Sequence, residues 1–151
     1  MTMIATMIVT LVRGRYCEAD WAANIELDEA STLAQLHDAI QMAVGFDNDH
    51  SFSFFLSRTD RSRTREYFHD EDESVDSKTV KDMFPLPERQ SLFYLFDWGD
   101  DWVFKISKTR KSLQQALPGV TYPRVESESG TKPDQYPSDD DDDSDEDDED
   151  E

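Results

Sequence analysis

Met3–Arg13 is rich in β-branched residues and reads as a strand, with Gly14 and Arg15 beginning a turn. Beyond it Trp21, Ala23, Ile25 and Leu27 alternate with Ala22, Asn24 and Glu26, the two-residue period of a half-buried strand. The two segments predict an antiparallel hairpin, although Arg13–Asp20 is too long for a tight turn. The pattern then becomes helical. Leu33, Leu36, Ile40 and Val44 recur at helical spacing and give one apolar stripe, suited to a helix lying across a sheet. Thr32 and Gln35 form a capping box, and Gly45 supplies the left-handed residue that closes the helix.

Ser51–Ser57 reads as a third strand, Arg58–Arg65 as a polar loop, Glu66–His69 as a short returning strand and Asp70–Ser77 as an acidic loop. Thr79–Phe84 predicts a short helix stopped by Pro85 and Pro87, and Ser91–Asp97 with Trp102–Ser107 a last hairpin. Phe93 and Leu95 on one face of that hairpin, and Leu92, Tyr94, Phe96 and Trp98 on the other, mark a central strand covered on both sides. One helix covers one face. The other falls to the proline-containing C-terminal segment, the inserted helix or a partner. The order β-β-α-β-β-β predicts an α+β, β-grasp-like (ubiquitin-like) fold, a single mixed sheet with one main helix on one face and a short inserted helix. Its compact part spans residues 3–115, followed by an extended proline-containing segment, 116–137.

Composition changes the picture at the C-terminus. The chain of 151 residues carries a net −20, and twelve of its carboxylates fall within Ser138–Glu151, so the rest carries −8. So dense a run of like charge, with nothing apolar to bury, predicts a disordered tail, 138–151, that stays solvated; folding back over Arg58–Arg65 is its alternative. The single Cys17 excludes an internal disulfide framework and a thiolate-only metal site. The opening apolar run is too short for a membrane span and lacks the features of a signal peptide, so a cytoplasmic location with no membrane partner is expected.

STLAQLHDAIQMAVGFDNDHSFSF, followed by LFYLFDWGDDWVFKI and by TYPRVESESGTKPDQYP, resembles the plasmid pRiA4b ORF-3-like domain family over about Ile4–Pro137. The Asp97-x-Gly99-Asp100-x-Trp102 element is the most specific part of the likeness. The sequence lacks the Cys-Pro-Pro-Glu-Asp stretch of longer members, and the acidic tail is its own. The resemblance implies association with plasmids and mobile elements. It also brings a resolvase label, which the residues do not support: Met1–Arg15 holds no serine nucleophile and no basic DNA-binding region follows.

Three constellations are candidates for chemistry. Asp97, Asp100 and Asp101 around Gly99, flanked by Trp98 and Trp102, form either a hairpin turn or a surface for a protein or ligand; three carboxylates at one turn would also suit Ca²⁺ or Mg²⁺. His37 faces the sheet on the helical wheel, and His50 with Asp97 or Asp100 would complete a His-His-carboxylate set for a transition metal. Arg58, Arg61, Arg63 and Arg65 would contact successive phosphates of a nucleic acid, but the acidic residues that follow and the domain's net charge argue against nucleic acid as a partner. No glycine-rich phosphate loop, nucleophile elbow or Cys–His pairing recommends catalysis, and no pattern implies a cofactor. The expectation is a non-catalytic interaction module with a protein partner.

Overall fold

The computed structural model describes residues 2–14, 20–70 and 73–133; Cys17 and the acidic tail 138–151 lie outside them. Among the described residues the strands are β1 (Met3–Arg13), β2 (Trp21–Asp28), β3 (Phe52–Ser57), β4 (Glu66–His69), β5 (Ser91–Phe96), β6 (Trp102–Lys108), β7 (Gln114–Gln115) and β8 (Arg124–Gly130). The helices are α1 (Leu33–Val44), α2 (Ser74–Ser77) and α3 (Val80–Met83). The strands form one sheet in the order β4-β3-β5-β6-β1-β2-β8, with β7 pairing the start of β1. Every pairing is antiparallel.

This corrects the β-grasp expectation. A mixed sheet needs at least one parallel pair, and β1, the strand that would supply it, runs antiparallel to both β2 and β6. The sheet also continues past the last expected hairpin, because β8 pairs along β2 from Trp21↔Gly130 to Glu26↔Arg124. The protein is an extended antiparallel sheet carrying few, short helices.

The helices α1 and α3 follow their local signals, whereas α2 forms inside the expected acidic loop Asp70–Ser77 with no side-chain cap. Thr32 accepts from the Gln35 amide at 3.1 Å while the Gln35 side chain accepts from the Thr32 amide at 2.9 Å. Gly45 closes α1 with φ 79°. Leu33, Leu36, Ile40 and Val44 are all buried against the sheet. Thr79 and Asp82 form a second capping box at the start of α3.

Strand register sorts the aromatic residues into two layers, because residues opposite one another share a face. Phe54, Tyr94, Phe104 and Leu11 form one cross-strand row, and Phe52, Phe96 and Trp102 another, both beneath α1 in the main core. On the other face Tyr67, Phe55 and Phe93 are aligned, as are Ser53, Leu95 and Val103, and Phe55, Phe93, Leu95 and Val103 form a smaller apolar cluster. Among the described residues this second face is covered by the β3–β4 loop, while Val80 and Met83 of the inserted helix pack into the main core instead. The Arg65 guanidinium lies 4.2 Å over the Phe55 ring, and Asp60 reaches Arg13 at 3.0 Å.

Candidate functional site

The turn between β5 and β6 begins with Asp97, which is buried and takes φ 64°. Its Oδ1 accepts from the amides of Gly99 at 3.0 Å and Asp100 at 3.3 Å, and its carbonyl accepts from the amides of Asp100 and Asp101. Asp101 also has a left-handed φ of 53°, whereas Gly99 does not take one. The left-handed positions of the turn are thus held by two Asp residues rather than by the glycine, and the Asp97 side chain bonds the turn's own backbone. His50 Nε2 stands 3.4 Å from Asp97 Oδ2 and ties the turn to the loop after α1.

The turn separates its two tryptophans. Trp102 is fully buried, 5.0 Å from the Phe46 ring, and anchors the hairpin. Trp98 is 47% exposed and lies 5.9 Å from Tyr67 and 6.2 Å from His69. Tyr67 stacks on His69 at 4.8 Å, and Ser53 bonds His69 Nδ1 at 2.7 Å. Three aromatic rings thus meet at one end of the second face, the outermost of them solvent-facing. Asp100 and Asp101, farther along the turn, line a small cavity with Arg13, Gly14 and Arg61, and Asp101 pairs with Arg13 at 3.9 Å.

His37 is buried, as its place on the helix predicts, and every polar atom near it is occupied. Its ring stacks on Phe52 at 3.7 Å. Nε2 donates to Asn48 Oδ1 at 2.7 Å, because the Asn48 amide nitrogen is itself donating to Asp38 at 3.3 Å. Nδ1 then accepts from the Tyr94 hydroxyl at 2.5 Å, which in turn accepts from Gln41 Nε2 at 3.0 Å; Gln41 Oε1 accepts from the Asn48 amide at 2.9 Å. Burial is the main cause of the low His37 pKa and outweighs the opposing effects of Asn48, Asp38 and Asp70. Burial likewise raises the Tyr94 pKa well above its ordinary value. The pair is neutral and closed on itself.

The structure does not bring the expected metal set together. Both nitrogens of His37 are engaged, His50 stands against Asp97, and Asp100 lines a cavity with Arg13 and Arg61. Among the described residues no three His, Cys, Asp or Glu side chains are grouped to hold a metal ion. The four arginines also part company. Arg65, held by Ser62, Tyr67 and Asp60, lines one cleft together with the exposed Arg58 and Arg63, whereas Arg61 turns toward Asp60 at 3.9 Å and lines a different cavity. Arg61 therefore does not share a side with Arg63 and Arg65, and the four do not form one row of phosphate contacts.

Tyr67, His69, Gln41, Asn48 and Tyr94 were not among the expected site residues. Gln41 carried a signal, since it sits one helical turn from His37 inside an otherwise apolar face.

The model of the family described as "Plasmid pRiA4b ORF-3-like protein" matches residues 21–136. The chain belongs to this family. The expected Asp97–Trp102 element lies within the matched residues. No curated protein matches the chain. Among solved structures it is similar to the crystal structure of a protein of unknown function, MM3350, from Methanosarcina mazei Go1. That likeness has a TM-score of 0.67 at 20% identity and covers 84% of this chain and 69% of the other, so it concerns the fold. Among the described residues no helix is long and apolar enough to cross a membrane.

Proposed function

We propose that this pRiA4b ORF-3-like domain is a non-catalytic interaction module, working in the cytoplasm in a mobile-element setting, that docks a protein partner against Trp98. The observation that carries the reading is a half-exposed indole held on a pre-ordered turn. Asp97 accepts two turn amides and pairs with His50, so the backbone presenting Trp98 is fixed before any partner arrives. Fixed anchors reduce the ordering cost of association, and tryptophan is enriched among the residues that dominate interface energies. The mobile-element setting and the cytoplasmic location rest on the family description and on the composition.

The sheet edges are poor alternatives for docking. β4 is only four residues long, and β8 carries Glu126 and Glu128 along an exposed strand, a usual guard against edge-to-edge pairing. His37, the most shielded imidazole, has no open nitrogen with which to act as base or ligand. A protein partner with an apolar pocket for the indole suits this surface; a nucleic acid would meet a domain with a net −8 outside its tail.

Affinity capture from the native host with the intact protein and with Trp98→Ser, read by quantitative mass spectrometry, tests this reading. Proteins retained by the intact chain and lost with Trp98→Ser are the expected result. An identical set with both baits overturns it.

A further inference from the structure

The cleft beside β3 and β4, of about 570 Å³, gathers positive charge in an otherwise acidic domain. Arg58, Arg63, Arg65 and Glu66 line it, with Ser62 and Gln90 among its polar neighbours. Arg65 gives Nε to the Ser62 carbonyl at 2.8 Å, Nη1 to the Tyr67 hydroxyl at 2.9 Å and Nη2 to the Asp60 carbonyl at 2.7 Å. All three acceptors are neutral, and the Asp60 carboxylate is held by Arg13 at 3.0 Å. The Arg65 charge is thus fixed in place without being cancelled. Arg58 and Arg63 are exposed, and among the described residues no carboxylate pairs with either. Three guanidiniums against Glu66 leave the cleft with two uncompensated positive charges.

We propose that this cleft binds a phosphate monoester carried on a partner protein, a phosphorylated side chain. Such a group carries about −1.5 to −2 at neutral pH, which matches the charge the cleft leaves over. Guanidinium forks suit its oxygens, two free arginines can close on it, and the fixed Arg65 forms a preset floor. A single carboxylate satisfies half of that charge. A nucleic acid would bring a charge about every 1.7 Å and set its further phosphates against a domain with a net −8. A compact dianion is the ligand for which short-range pairing outweighs that repulsion, since screening confines the latter to about 8 Å at physiological salt.

The test is fluorescence anisotropy on the full chain with a labelled Gly/Ala-flanked phosphoserine peptide and its Ser counterpart, with inorganic phosphate and oligothymidylate as competitors. The phosphopeptide binds at least roughly tenfold tighter than the Ser peptide, and inorganic phosphate displaces it. Arg58→Gln/Arg63→Gln loses at least roughly tenfold in affinity, because both side chains are exposed and their loss removes charge without disturbing the core. Arg61→Gln stays within about twofold, since Arg61 lines the other cavity. Equal binding of the two peptides, or full affinity in the double variant, overturns the proposal. Displacement by oligothymidylate with a steep salt dependence reassigns the cleft to nucleic acid. Trp98 does not line the cleft and meets it only through Tyr67, so Trp98→Ser keeps phosphopeptide affinity within about twofold and the two readings fail independently.

Discussion

Replacing Tyr94 by Phe removes one oxygen and leaves two buried atoms without their partner. His37 Nδ1 loses its donor, and Gln41 Nε2 loses its acceptor. Neither residue can turn to water, since His37 is 5% and Gln41 3% exposed. His37 cannot shift its proton to Nδ1 without breaking its bond to Asn48, whose own orientation is set by Asp38. A buried polar group stripped of its partner costs about 1–3 kcal/mol, so Tyr94→Phe, which strips two, should destabilise the protein by roughly 2–6 kcal/mol. For a chain of this size that corresponds to a fall in Tm of roughly 10 °C. Urea unfolding at neutral pH with an unchanged m-value, supported by calorimetry, measures it. Tyr122→Phe is the control, because Tyr122 is half-buried and bonds only the Leu117 amide at 3.3 Å; it should cost no more than about 0.5 kcal/mol. A Tyr94→Phe cost below about 0.5 kcal/mol would refute the closed network.

Leu36, fully buried on the sheet-facing side of α1, should cost roughly 2–5 kcal/mol on truncation to Ala, measured by the same unfolding curves. Gly45→Ala should cost about 1 kcal/mol because its φ is 79°, whereas Gly99→Ala, with only Asp97 Oδ1 at 3.4 Å from the added carbon, should stay within about 0.5 kcal/mol. Acid should weaken the fold in two steps. His37 binds its proton less readily when folded, so its contribution is complete above its ordinary value of 6.5 and is lost as pH falls from there; His37→Gln should remove that limb. Burial of Glu26 acts to raise its pKa, but hydrogen bonds and charge from Arg124 and Lys111 outweigh it, so its contribution is lost below 4.5 and Arg124→Ala should flatten that second limb.

The helix and the first six strands were legible because their signals are local: a capping box, a helical stripe and two-residue alternation. Sheet order was not, since pairing β1 between β2 and β6 joins residues far apart in sequence and leaves no trace in either strand's own pattern. β8 was hidden for a different reason. Arg124–Gly130 is exposed throughout and has no apolar alternation; it is held by its backbone ladder to β2 and by side-chain bonds such as Trp21 Nε1 to Glu128 at 2.6 Å and Asn24 to Glu126. At the site, the Asp97–Trp102 turn stood out by composition, but which tryptophan would be buried depended on register: Trp102 opposes Phe96 under α1, and Trp98 does not pair at all. Tyr67 and His69 fall on the second face through the same two-residue period that made β4 recognisable, and only the ladder with β3 shows that this face meets Trp98.

The docking role of Trp98 is tested most directly by placing a photo-crosslinking p-benzoylphenylalanine at position 98 of the full chain in its host. The same group at Met42, 55% exposed on α1, serves as the comparison. Light should join position 98, and not position 42, to a discrete partner protein. No adduct from position 98, or the same adducts from both positions, would contradict the account.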